Sequence, residues 1–245
     1  MPEIVPGETP QARRGPARGE ESHLAGPAGL LAVLAVLFVA ARGNFPFYRI
    51  VAELYSVFIA LGVFTLYWNV RDRAVGGFVT LLAMAYLCVG VVDLLHLLAL
   101  EGGGPIGLAR RADNVAEQFW IFGRVLESGS LLGAAWLARR RVRDLSVAVV
   151  YALIFAIAVP AIAIWRFFPD VYTDGAASPF GIGARVVIWA LLAGAAASFW
   201  KNRERFDRQV YRMLLLSVGL TLVSELLLAV HVAGAGRLPV LGYAF

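Results

Sequence analysis

The sequence predicts an all-α integral membrane protein, a seven-transmembrane-helix bundle. Of its 245 residues 60% are hydrophobic, with a mean hydropathy of +0.72, and the apolar residues come in blocks ~20 long rather than in short amphipathic stripes. The placement of charge then orients the bundle. Of the 22 Lys and Arg residues, 14 fall in alternate connections: Arg13, Arg14 and Arg18; Arg71 and Arg73; Arg139, Arg140, Arg141 and Arg143; Lys201, Arg203, Arg205, Arg208 and Arg212. Basic connections stay on the cytoplasmic side, so the N-terminus is expected there, in a cytoplasmic (inner) membrane.

Residues 1–25, MPEIVPGETPQARRGPARGEESHLA, mix Pro, Gly and both signs of charge without an apolar period and read as a disordered tail. Its His23 is given no role. The run GPAGLLAVLAVLFVAA (26–41) reads as a retained first helix, the alternative being the apolar core of a signal peptide ending at Val39-Ala40-Ala41. Further spans are expected at 46–70, 74–100, 118–138, 147–168, 183–200 and 210–233, each near the ~20 residues that cross a bilayer. The opposite connections, such as FPDVYTDGAASPFG, are acidic or neutral and face outward. Seven spans leave the segment VAGAGRLPVLGYAF outside as well.

Several functions are disfavoured. The net charge of +5 sits between the apolar blocks, where topology alone places it, so no nucleic-acid partner is expected; the partner surface is lipid. The single cysteine, Cys88, lies in an apolar segment and reads as a small packed side chain. The loop EGGGPIG (101–107) lacks the Lys-Ser/Thr of a phosphate loop, and there is no GxSxG or HExxH, so the chain is not expected to be an enzyme. Gly129 and Gly133 form a GxxxG in the fourth span, a candidate helix-packing face.

The informative feature is charge inside the spans. At ~1.5 Å per residue, Glu53, Asp93, Glu127 and Glu225 all lie in the outer half of the bilayer, on four different helices, while the inner halves carry almost nothing ionisable. Each charge in a span costs about 2.5–3.5 kcal/mol on insertion scales, so such a layer must face itself or a wet cavity. Partners stand one turn away: Arg49 before Glu53, Arg124 before Glu127, and His96 after Asp93. Ser217, Thr221, Ser224 and His231 share a face of the last span, with Glu225 beside it.

Three readings of this layer stand side by side. It is a set of structural ion pairs, or a ligand pocket of Glu53, Asp93, His96, Arg124, Glu127, Glu225 and His231 open to the outside, or a metal site. In the last case His96 and His231 with carboxylates supply a mixed N/O set for a transition metal, or hold a haem between them. Electron or proton transfer and small-molecule transport belong to the same set of alternatives. Transport is weakened by the absence of polar groups in the inner half and of a convincing inverted repeat.

FYRIVAELYSVFIALGVFTLYWNVR (47–71), AYLCVGVVDLLHLLALEG (85–102) and NVAEQFWIFGRVLESGSLLGA (114–134) together resemble successive segments of the membrane-associated sensor domain of the third type, MASE3. The match is sharpest at AELYS around Glu53, DLLH with Asp93 and His96, and the Trp120, Arg124, Glu127 motif. The resemblance covers roughly residues 26–240. It implies a sensory input module of the kind found on histidine kinases of two-component systems and on enzymes of cyclic-di-GMP signalling, with a cytoplasmic kinase or cyclase output domain and a homodimeric state. The family usually continues through an eighth helix into its output domain. Here the expectation is an output on a C-terminal extension or on a separate partner.

Overall fold

A computed structural model describes residues 39, 43–71, 76–100, 112–137, 140, 142–173 and 176–232, with the side chains of 45, 46, 112, 113 and 229–232 left aside. Six helices follow in order: α1 (Phe45–Val70), α2 (Gly77–Leu100), α3 (Ala112–Leu137), α4 (Asp144–Ala163), α5 (Pro179–Lys201) and α6 (Arg208–Val232). A short antiparallel hairpin, β1 (Tyr172–Thr173) with β2 (Ala176–Ala177), lies between α4 and α5. These helices correspond to the second to seventh expected spans. Apart from Val39, the expected span 26–41 lies outside the described residues.

The ends of the helices follow from local chemistry. The Asn44 side chain caps α1 by accepting from the Phe47 amide at 3.1 Å, with Pro46 in the first turn. Ser178 caps α5 in the same way, accepting from Gly181 N at 3.0 Å, with Pro179 leading the helix. Thus α5 starts four residues before the apolar run from 183 suggests. The helix α3 begins at Ala112 rather than 118, because its first turns are polar and invisible to hydropathy. Those polar residues have work at the neighbouring loop: Asn114 Oδ1 accepts from Val171 N (2.8 Å) and Tyr172 N (3.2 Å), and Gln118 donates to Phe168 O and Pro169 O, both at 3.0 Å. The helix α4 ends at Ala163 instead of 168. Arg166 takes the left-handed conformation (φ 51°), and Pro169 disfavours helix at the residue before it.

The pair α2 and α3 forms the centre. The helix α1 packs on α2, α5 on α3, α6 on α5, and α4 lies against both central helices. Five of the six helices are long and apolar enough to cross a membrane by length and composition. The sixth, α3, is not, since it carries Asp113, Glu117, Arg124 and Glu127. As the central helix it can hold charge inward, where its neighbours shield it from lipid. The outward faces of the other helices are apolar: Phe58, Leu66 and Ile157 are 65–71% exposed, as befits residues solvated by lipid.

Inside, alanine dominates the tightest contacts. Ala99, Ala116, Ala134, Ala135 and Ala195 are fully buried, as expected where helices associate by close packing and not by escape from water. Glycine serves at two crossings that matter below. A Cβ on Gly90 would meet Ala60 Cβ of α1 at 3.0 Å, and one on Gly123 would meet Val92 Cγ1 at 3.2 Å and Asp93 Oδ1 at 3.6 Å. Of the expected GxxxG, Gly133 abuts Leu81 of α2 (3.2 Å), whereas a Cβ on Gly129 meets nothing within 4 Å. The close approach of α2 to α3 therefore runs through Gly123 and Gly133.

The two ends of the bundle differ. At the basic end, Arg71 stacks on Trp68 (4.0 Å) and Arg140 on Trp136 (4.4 Å), pairs suited to a headgroup interface. Here too Tyr67 donates to Thr80 (2.9 Å) and Thr80 to Asp144 (3.3 Å), tying α1, α2 and α4 together. The opposite, hairpin end holds the charged layer.

Candidate functional site

The layer starts from the periodicity of α3. Glu117, Trp120, Arg124 and Glu127 recur every three or four residues, so they form one stripe along the helix. At its centre Arg124 donates from Nη1 to Glu127 Oε2 at 2.8 Å and from Nη2 to Asp93 Oδ1 of α2 at 3.3 Å. Gly123 allows this, because the missing Cβ lets α2 lie against α3 where Asp93 sits. Ser56 of α1 donates to the other oxygen of Asp93 at 3.3 Å. Three helices thus meet through two side chains.

One turn nearer the hairpin end lies a second junction. Arg49 Nε donates to Glu53 Oε1 at 2.8 Å within α1. His96 is 4% exposed and donates from Nδ1 to the Ala116 carbonyl of α3 at 2.7 Å. In the neutral ring that bond leaves Nε2 as an acceptor, and Arg49 Nη2 faces it at 3.4 Å. Glu53 Oε1 stands 3.6 Å from the same nitrogen, so a protonated ring meets a carboxylate where the neutral one meets a guanidinium. The expected Asp93–His96 pairing is replaced by this arrangement: Asp93 turns to Arg124 and Ser56, and His96 to Glu53, Arg49 and α3.

The last helix joins through Glu225. Its position continues the stripe Tyr211, Leu214, Leu215, Val218, Leu222 that packs against α3 and α5, and it is 2% exposed. Among the described residues Arg124 and Arg185 are the cations in electrostatic reach, with Glu127 and Glu117 as like-charged neighbours. Tyr86 of α2 lies close to Ser217 of α6. His231 belongs to α6 by its backbone, but its side chain lies outside the described residues.

Arg185 is absent from the sequence-derived set. It is buried, stands 3.8 Å from Glu117, donates to the Tyr172 hydroxyl of the hairpin at 3.2 Å, and lies 4.8 Å from the ring centre of Trp120. Burial, reinforced by Glu117 and partly offset by Arg185, pushes the Tyr172 phenol above its usual range, so the hydroxyl remains neutral across ordinary pH. Its position six residues into α5 makes it look like an ordinary flanking charge. The signal that could have found it is Trp189 one turn on, which places a second polar group on the same face.

Among the described residues no group of three His, Cys, Asp or Glu side chains is arranged to hold a metal ion. The one free nitrogen of His96 faces a guanidinium, which a metal there must displace. Five buried polar atoms of the described residues have no hydrogen-bond partner: Glu53 Oε2, Arg124 Nε, Arg185 Nε, Trp189 Nε1 and Glu225 Oε2. All five belong to the layer or to the turn of α5 that continues it.

The family model of MASE3, described as a membrane-associated sensor domain, matches residues 40–245. No curated protein and no solved structure gives a significant match. The matched stretch contains all six helices and every member of the charged layer. The chain is therefore a multi-pass membrane protein belonging to the MASE3 family of membrane-associated sensor domains.

Proposed function

We propose that this sensor domain detects a small ligand in the charged layer and passes a conformational change to a cytoplasmic output domain of histidine kinase or diguanylate cyclase type. In this reading the basic end and the N-terminal tail are cytoplasmic, and the hairpin end opens outward. Glu53, Asp93, His96, Arg124 and Glu127 form the site, with Glu225 and His231 completing it on α6. The partition of arginines supports the orientation, and the family's usual attachment to signalling outputs supports the role. Catalysis then belongs to the output domain, on a C-terminal extension or a partner, with the sensor acting as a homodimer.

The observation that carries the proposal is the sharing of Arg124. One guanidinium is bonded to Asp93 and Glu127 and lies within reach of Glu225, so its allegiance couples α2, α3 and α6. A ligand that withdraws one of those carboxylates leaves Arg124 to the others and displaces α6 relative to α1–α3. Little energy is needed. A tenfold change in a two-state equilibrium takes about 1.4 kcal/mol of differential binding, no more than one hydrogen bond to a charged group supplies. The unpartnered atoms favour a ligand site over a finished set of structural ion pairs, since a buried network with no other task is normally satisfied.

The test is a fusion of the chain to a kinase output. His96→Ala and Glu127→Ala are expected to abolish the response while membrane insertion and expression are kept. Normal signalling by both variants would show the layer to be structural.

A further inference from the structure

Glu225, Arg185 and Trp189 present a combination of unmet needs that the ion pairs of the layer do not explain. Glu225 is 2% exposed, yet Oε2 has no partner, and among the described residues no hydrogen bond or salt bridge reaches the side chain. The two cations near it are already engaged, Arg124 with Asp93 and Glu127, Arg185 with Glu117 and Tyr172. One turn apart on α5, Arg185 Nε and Trp189 Nε1 are both buried donors without an acceptor. Glu225 lies seven residues from the end of α6 and Arg185 six from the start of α5, so at ~1.5 Å per residue both sit roughly 10 Å below the hairpin end. Arg185 lies within electrostatic reach of Glu225, so α6 offers an acceptor near one unmet donor of α5, with the second, Trp189, one turn further along the same helix face.

Charge restricts the occupant further. Among the described residues the layer holds the carboxylates Glu53, Asp93, Glu117, Glu127 and Glu225 against the guanidiniums Arg49, Arg124 and Arg185, an excess of negative charge even if His96 is protonated. An anion is therefore disfavoured. Among the described residues a bare metal ion meets no group of three ligating side chains, and it would face two guanidiniums. A proton on Glu225 satisfies part of the charge but leaves both donors of α5 unanswered.

Building on the sensor reading above, we propose that the face shared by α3, α5 and α6 binds a small protonated amine carrying an oxygen acceptor, its ammonium on Glu225 and its oxygen on Arg185 and Trp189. The class includes amino alcohols, free in solution or as the headgroup of an aminophospholipid. Charge-assisted hydrogen bonds supply the affinity, and the indole N–H selects for the oxygen.

The test uses the full chain in phosphatidylcholine nanodiscs, titrated calorimetrically with ethanolamine, ethylamine and acetate. Ethanolamine is expected to bind saturably, ethylamine about threefold or more weakly, and acetate not at all. Glu225→Gln should weaken both amines about tenfold. Trp189→Phe should weaken ethanolamine alone, by about threefold. In discs containing phosphatidylethanolamine, loss of the ethanolamine response identifies the lipid headgroup as the source, and its persistence a free amine. The proposal is overturned if ethanolamine gives no saturable heat with protein that still melts cooperatively, or if Glu225→Gln binds as the parent does. These outcomes are separable from failure of the sensor role. Absent amine binding with a silent His96→Ala fusion removes only the amine, whereas intact amine binding with a normally signalling His96→Ala fusion removes only the role of the layer in signalling.

Discussion

Arg124→Ala is expected to lower the stability of the bundle by about 3–5 kcal/mol, read as a large drop in the melting temperature of the purified protein in nanodiscs. The reason is the number of charges that depend on it. Among the described residues, Asp93 keeps only the Ser56 hydroxyl, Glu127 loses its 2.8 Å partner, and Glu225 loses one of two nearby cations. All three carboxylates are at most 9% exposed, so none can turn to water. Removing one partner of a buried pair is costly because it strands the other, whereas removing all the charges together is often neutral. Accordingly, the combination Asp93→Asn, Arg124→Gln and Glu127→Gln is expected to recover most of the lost stability. If Arg124→Ala melts like the parent, the guanidinium is not the hub that its hydrogen bonds describe.

Arg185→Leu is expected to be the next most damaging, at about 3 kcal/mol, together with a loosened hairpin. Leucine fills part of the volume but strands Glu117 and removes the donor to Tyr172, which fastens β1 over the end of α5. Glu225 again loses a compensating charge. Limited proteolysis in the segment 164–178 should accelerate alongside the fall in melting temperature. Arg185→Lys is expected to recover part of the stability by restoring charge, but not the stacking on Trp120 or the reach to Tyr172. Equal behaviour of Leu and Lys would mean that charge at this position is irrelevant.

Much of the charged layer was legible because ionisable residues stand out against lipid-facing sequence. Glu53, Asp93, Arg124, Glu127 and Glu225 each announce themselves by cost, and helix rise alone puts them near one level. Partner choice was not legible. On a helix of 3.6 residues per turn, positions three apart differ by about 60° around the axis. That offset is small on an exposed surface, but where α1, α2 and α3 converge it sends Asp93 to Arg124 and His96 to Glu53 and Ala116 O. Arg185 was overlooked because it stands near a span end, where a basic residue does not stand out as charge in the middle of a span does. Which helix it faces depends on how α5 packs on α3, and no local pattern encodes that. The early start of α3 escaped for a related reason: Asn114 and Gln118 look like loop residues until the backbone of 168–172 is placed beside them.

The packing of the helices was harder to read than their existence. Apolar blocks mark spans regardless of neighbours, but the approach of α2 to α1 rests on Gly90, and that of α2 to α3 on Gly123 and Gly133. Of the GxxxG pair Gly129 and Gly133, only Gly133 has a close neighbour, because spacing identifies a face of the helix without saying what lies opposite.

The central claim is that the charge of the layer, not its packing, carries the signal. Its most direct test is the Asp93→Asn, Arg124→Gln, Glu127→Gln combination placed in a fusion with a kinase or cyclase output, measured for melting temperature and for output under conditions that switch the parent fusion. The account predicts a protein that inserts and melts close to the parent but whose output stays fixed at one level. A combination variant that melts like the parent and still switches would contradict it.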